Sequence, residues 1–84
     1  MPRHRVLLVV TNKASARDPE GETLAHELRL QGYRYVLGMR AGKAYIIDVD
    51  AASEDEAIKL VEDLARRARL YNPVVHSIQV LRLG

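Results

Sequence analysis

Three features of the 84-residue sequence predict an α+β fold in the order β-α-β-β-α-β. An unbroken apolar run, Val6–Val10, reads as a central strand. Two segments carry helix-start chemistry followed by helical spacing of apolar residues. Between them, alternating runs flank Ala41-Gly42-Lys43, the pattern of a β-hairpin. Together they describe the ferredoxin-like arrangement, an antiparallel sheet with two helices on one face.

Each element has its own local reason. Val6–Val10 is rich in β-branched valine, and the polar stretch from Thr11 to Arg17 ends it. Asp18 can cap the next helix, and Pro19 suits its first position because a missing N–H costs nothing there. Glu20 and Glu22 sit favourably at the positive end of the helix dipole. Leu24, Ala25 and Leu28 form the apolar stripe, and Gly32 closes the helix. Gly21 costs about 1 kcal/mol relative to Ala within a helix, which predicts that something packs closely against it. Tyr33–Arg40 then alternates, with Tyr33, Tyr35, Leu37 and Met39 on one face. After the Ala41-Gly42-Lys43 link, Ala44–Val49 resumes as a strand. Ser53 and Glu56 form a capping box. Ala57, Val61, Leu64 and Ala68, widened by Ile58, Leu60 and Ala65, follow at helical spacing. Arg66, Arg67 and Arg69 complement the negative end of the dipole. Asn72-Pro73 stops the helix, and Val74–Leu83 is the last strand.

The length predicts a single domain spanning residues 1–84. Hydrophobic residues make up 48% and charged residues 29%, a globular balance that argues against disorder. Cysteine is absent, which removes disulfides, thiolate metal sites and Cys nucleophiles. No apolar run approaches the roughly 20 residues that span a bilayer. The net charge is +2. It divides into eight basic and four acidic residues over positions 1–43, and five and seven over 44–84. That asymmetry falls well short of the basic stripe of a nucleic-acid binder. With both helices on one sheet face, the other is bare. Val36 and Ile78, or Tyr33, Tyr35 and Tyr45, are expected on it, and a bare apolar face predicts a homo-oligomer.

Catalytic templates find little purchase. His4, His26 and His76 are scattered, with no metal-ligand spacing. Ser15, Ser53 and Ser77 lie in a loop, a cap and a strand, without the context of an activated nucleophile. Asp48 and Asp50 share a strand face and read as a solvated strand end rather than an acid–base pair. Arg40, Gly42 and Lys43 lack the phosphate-loop pattern but can present cations to an anion or a partner's carboxylate. The first strand has no aromatic on which a base would stack. These residues describe a binding or assembly module. A small-molecule-sensing regulatory module of the same βαββαβ order is the alternative.

Four stretches in order, Asp18-Pro19-Glu20-Gly21, Gly32-Tyr33, Arg40-Ala41-Gly42-Lys43 and Asn72-Pro73-Val74-Val75, resemble the PurS family. These are the small subunits of bacterial and archaeal phosphoribosylformylglycinamidine synthase. The resemblance spans nearly the whole chain. It implies a non-catalytic subunit of a cytoplasmic ligase of de novo purine biosynthesis. That complex turns formylglycinamide ribonucleotide, ATP and glutamine into formylglycinamidine ribonucleotide, ADP, phosphate and glutamate. The implied partners are the PurL synthase, the PurQ glutaminase and further copies of the chain as a dimer or tetramer; nucleic acid and membrane are not among them. The subunit would bridge the two enzymes and assist ammonia transfer. It implies no cofactor on this chain, ATP, Mg and glutamine being used elsewhere in the complex. Asp18, Pro19, Gly21, Arg40, Gly42, Lys43, Asn72 and Pro73 are the candidate contact or motif positions. His76 departs from the pattern, standing where the family often has an acidic residue.

Overall fold

The computed structural model describes residues 2–83. Its elements are β1 (Arg3–Asn12), α1 (Pro19–Leu30), β2 (Gly42–Asp50), α2 (Glu54–Arg67) and β3 (His76–Arg82). The three strands form one antiparallel sheet in the order β2-β1-β3. The valine-rich run is its centre, as its continuous apolarity requires.

On one face, Val6, Leu8 and Val10 meet Ala57, Val61 and Ala65 of α2, with Ala51 closing the cluster. The alanines let the helix lie close to the sheet. The buried stripe of α2 runs through 57, 61 and 65, so Leu60 and Leu64 lie at its flanks and stay exposed. The capping box is present: Ser53 Oγ accepts from Glu56 N at 3.1 Å, and Glu56 Oε2 accepts from Ala52 N at 3.1 Å.

The antiparallel α+β design with two helices stands, but two parts of it are placed differently. Tyr33–Arg40 is a turn followed by irregular chain with no ladder partner among the described residues. Alternation assigns residues to faces; a strand also needs a neighbour to bond, and none lies beside this segment. It folds back along α1 instead. Tyr33 N donates to Leu28 O at 3.0 Å, and Arg29 Nη1 donates to Val36 O at 3.2 Å. Helix α1 packs against neither the sheet nor α2, so of the described helices α2 alone covers the sheet. Helix and return segment form an arm that projects from it. The molecule accordingly measures 51 × 27 × 13 Å, with a radius of gyration of 15.9 Å. A compact chain of this length would have about 12 Å.

The register decides which residues lie on the bare face. Leu7 stands between Ile46 and Leu81, and Arg5 stands opposite Asp48. Ile46 is 67% exposed and Leu81 48%. The expectation for this face is therefore corrected. Ile78 and Tyr45 lie on the α2 side, half-buried against the core, while Val36, Tyr33 and Tyr35 belong to the arm.

Candidate functional site

The arm joins the sheet at a junction built around Asp18. This carboxylate is buried, with 5% of the residue exposed. Oδ1 accepts from Gly21 N at 3.1 Å, the helix cap. Oδ2 accepts from Ala41 N at 2.7 Å, just before β2 begins. One side chain thus ties the start of the arm to its end. The N–H of Ala41, then that of Gly21, holds the Asp18 carboxyl below its ordinary range; the charge of Arg40 adds to this, and burial opposes it. Both oxygens are committed to backbone donors, so Asp18 is a brace rather than a proton carrier.

Two glycines make this junction possible. A Cβ on Gly21 would lie 2.5 Å from Met39 O and 2.6 Å from Asp18 Oδ2. The close neighbour that the helical glycine predicts is therefore the returning chain. A Cβ on Gly42 would lie 2.2 Å from Val10 O. Gly42 is not the tip of a hairpin. It opens β2 opposite Thr11, where the chain passes tightly over β1.

The two cations of the motif differ in role. Arg40 Nη2 donates to Lys13 O at 2.9 Å and also to Asn12 O. Its charge is spent on the carbonyls where β1 leaves the sheet. Lys43 is exposed and makes no ion pair among the described residues. It lines an open cleft of about 340 Å³ with Asp18, Pro19, Gly42, Asn12 and His76.

Asn72 and Pro73 lie elsewhere, in the turn from α2 into β3. Asn72 Oδ1 accepts from Val74 N, and Asn72 O accepts from His76 N at 2.8 Å. His76 Nδ1 accepts from Asn72 N at 3.0 Å. This turn uses residues 73–75, so the last strand starts at His76 rather than Val74. The motif positions therefore fall into two groups. Asp18, Pro19, Gly21, Arg40, Gly42 and Lys43 converge on the junction, and Asn72-Pro73 borders a second cleft beside Arg66, Arg69 and Tyr71.

Sequence reasoning missed two participants. Asn12 donates through Nδ2 to Arg17 O at 2.7 Å, closing the loop before α1. His76 reaches the first cleft because the Asn72 turn delivers it there. The Asn–Pro pair signals that turn but not the distant residues it faces. Asp48 and Asp50 fall on the bare face opposite Arg5 and Arg3. Arg5 Nε donates to Asp48 Oδ1 at 2.9 Å, and that bond holds the Asp48 carboxyl below its ordinary range against the cost of burial. Among the described residues, no group of three His, Cys, Asp or Glu side chains is placed to hold a metal ion. The arrangement offers a braced junction, a second cleft lined by Arg66 and Arg69, and an apolar sheet face.

The model of the family "PurS: Phosphoribosylformylglycinamidine (FGAM) synthase" matches residues 5–83. The chain is 31% identical to a phosphoribosylformylglycinamidine synthase subunit PurS of Thermotoga maritima, covering 99% of this chain and 100% of that one. The corresponding Archaeoglobus fulgidus subunit is 32% identical, over 82% of this chain and 85% of its own. A crystal structure of the T. maritima purS subunit superposes with a TM-score of 0.86 at 30% identity, covering 98% of this chain and 93% of that one. A structure of PurLQS from T. maritima contains a chain that superposes with a TM-score of 0.85 at 31% identity, covering 99% and 100%.

Proposed function

Since this chain belongs to the PurS family of phosphoribosylformylglycinamidine synthase, we propose that it is the non-catalytic assembly subunit of that ligase. It joins a PurQ-type glutaminase to a PurL-type synthase. One observation carries this reading: its full-length likeness to a chain in a structure of PurLQS. The chemistry of the site agrees with it. Asp18 and Arg40 are committed to backbone groups, and among the described residues no activated nucleophile accompanies them.

Ammonia transfer needs a path shielded from bulk water, because free ammonia is protonated near neutral pH and loses its nucleophilicity. Holding two larger subunits in register is a coupling task, and this chain offers surfaces suited to it. ATP, Mg and glutamine are used by the other subunits. No helix among the described residues is long and apolar enough to cross a membrane, and the proposed location is the cytoplasm.

The chain also assembles with itself in this reading. The sheet face of Leu7, Ile46 and Leu81 is bare, and α1, the helix that the fold order would lay on the sheet, stands away from it. A second copy supplies the missing cover. The test is co-elution: the chain should run as a homo-oligomer alone and shift into a larger species with both partner subunits. Separate elution of all three would contradict the proposal.

A further inference from the structure

The end of α2 carries a conformational oddity. Leu70 N donates to Ala65 O at 2.9 Å and Arg69 N donates to Arg66 O at 3.3 Å. This is the paired closure in which the residue after the cap turns left-handed, a position that favours glycine or asparagine. Here it holds an arginine with φ 56°, the non-glycine residue of positive φ among those described. An L-residue is strained there, and a strained residue is the place to look for a function that retains it.

The surroundings say what that function is. Arg66 and Arg67 both bond to Asp63, at 2.9 and 3.1 Å. Two guanidinium groups thus share one carboxylate, and the third arginine of the group, Arg69, is left over. Arg69 makes no ion pair and no side-chain hydrogen bond among the described residues. It lines an open cleft of about 460 Å³ with Arg66, Tyr71, Asn72 and Pro73. Compensation of the helix dipole does not explain the choice. Arg66 and Arg67 already occupy the last turn, and glycine would close the helix without strain. Planar guanidinium groups match a carboxylate with two parallel hydrogen bonds.

We propose that Arg69, flanked by Arg66, receives a carboxylate side chain from a partner subunit of the ligase. This rests on the assembly role above. It makes the second cleft a subunit-contact site whose residue is kept at the expense of stability.

The test uses Arg69→Gly, Arg69→Asn and Arg69→Lys, each titrated into the synthase and glutaminase subunits from the same source. Glycine and asparagine should raise the melting midpoint by about 2–4 °C, because they relieve the left-handed strain. They should also raise the concentration needed for half-maximal glutamine-dependent turnover by roughly three- to tenfold. Lysine, a point charge without the planar fork, should recover only part of that loss, and added salt should narrow the gap. Saturation of the glycine and asparagine variants at the wild-type concentration overturns the proposal. A fall in their melting midpoints does so too, since it would make Arg69 a structural residue. If the wild-type chain itself fails to stimulate turnover, the assembly reading falls, and this inference with it.

Discussion

Asp18 shows how much one side chain can organise. One oxygen, Oδ2, ties it to Ala41, 23 positions on, while the other, Oδ1, caps a helix. Because its folded pKa is lowered, the stabilisation is fully present above the ordinary carboxylate pKa of about 4. It is lost as pH falls through the lower folded value. Asp48 shifts in the same direction for a different reason, its bond to Arg5. Stability should therefore decline below about pH 4. In Asp18→Asn the loss should be shallower and the neutral-pH midpoint lower, both measurable by thermal unfolding across pH. An acid limb as steep as that of the wild type would place the effect elsewhere.

Gly21 offers a test in which two principles give opposite signs. Helix propensity alone says that alanine stabilises by about 1 kcal/mol. Packing says that a methyl group 2.5 Å from the Met39 carbonyl oxygen forces the arm to shift, at about 1–3 kcal/mol. Packing should win, because the atom that must move is backbone. Gly21→Ala is expected to unfold at lower denaturant than the wild type, and a higher midpoint would show that the arm yields freely.

Among the elements, those that carry their own reason for forming were legible. The valine run, the capping box and the stripe of α2 each bury a face on a neighbour within the chain, so local pattern and final packing agree. The segment 33–41 obeys the strand pattern equally well, yet the chain gives it no strand to bond. Tyr35 and Leu37, 80% and 90% exposed, are what an alternating segment looks like with nothing along its apolar side. Helix α1 tells the same story. Its cap and proline were readable, but whether it would lie on the sheet depends on the close approach of Gly21 to Met39, which no periodicity encodes. At the site, the glycines and Asp18 stood out singly; their convergence comes from the fold-back of the arm.

That reading yields a prediction at the level of the sheet. Ile46 sits at the centre of the uncovered face, opposite Leu7. Ile46→Asp should leave helix content unchanged by circular dichroism, since Ile46 faces away from α2. The variant should shift the protein toward monomer in sedimentation at tens of micromolar. A variant that sediments as the wild type does would remove this face from self-association.

On the scale of the whole molecule, the chain is elongated. A core of seven buried residues under α2 holds one end, and a braced arm extends the other. Its apolar face, the arginine-lined cleft beside Pro73 and the projecting arm are separate surfaces, as the proposed contacts with two enzymes and further copies require. The most direct measurement is turnover by the reconstituted ligase, with glutamine or free ammonia as nitrogen donor, each with and without this chain. Glutamine-dependent turnover should require the chain, whereas ammonia-dependent turnover should proceed with little change in its absence. Glutamine-dependent turnover that is equal with and without the chain would contradict the account.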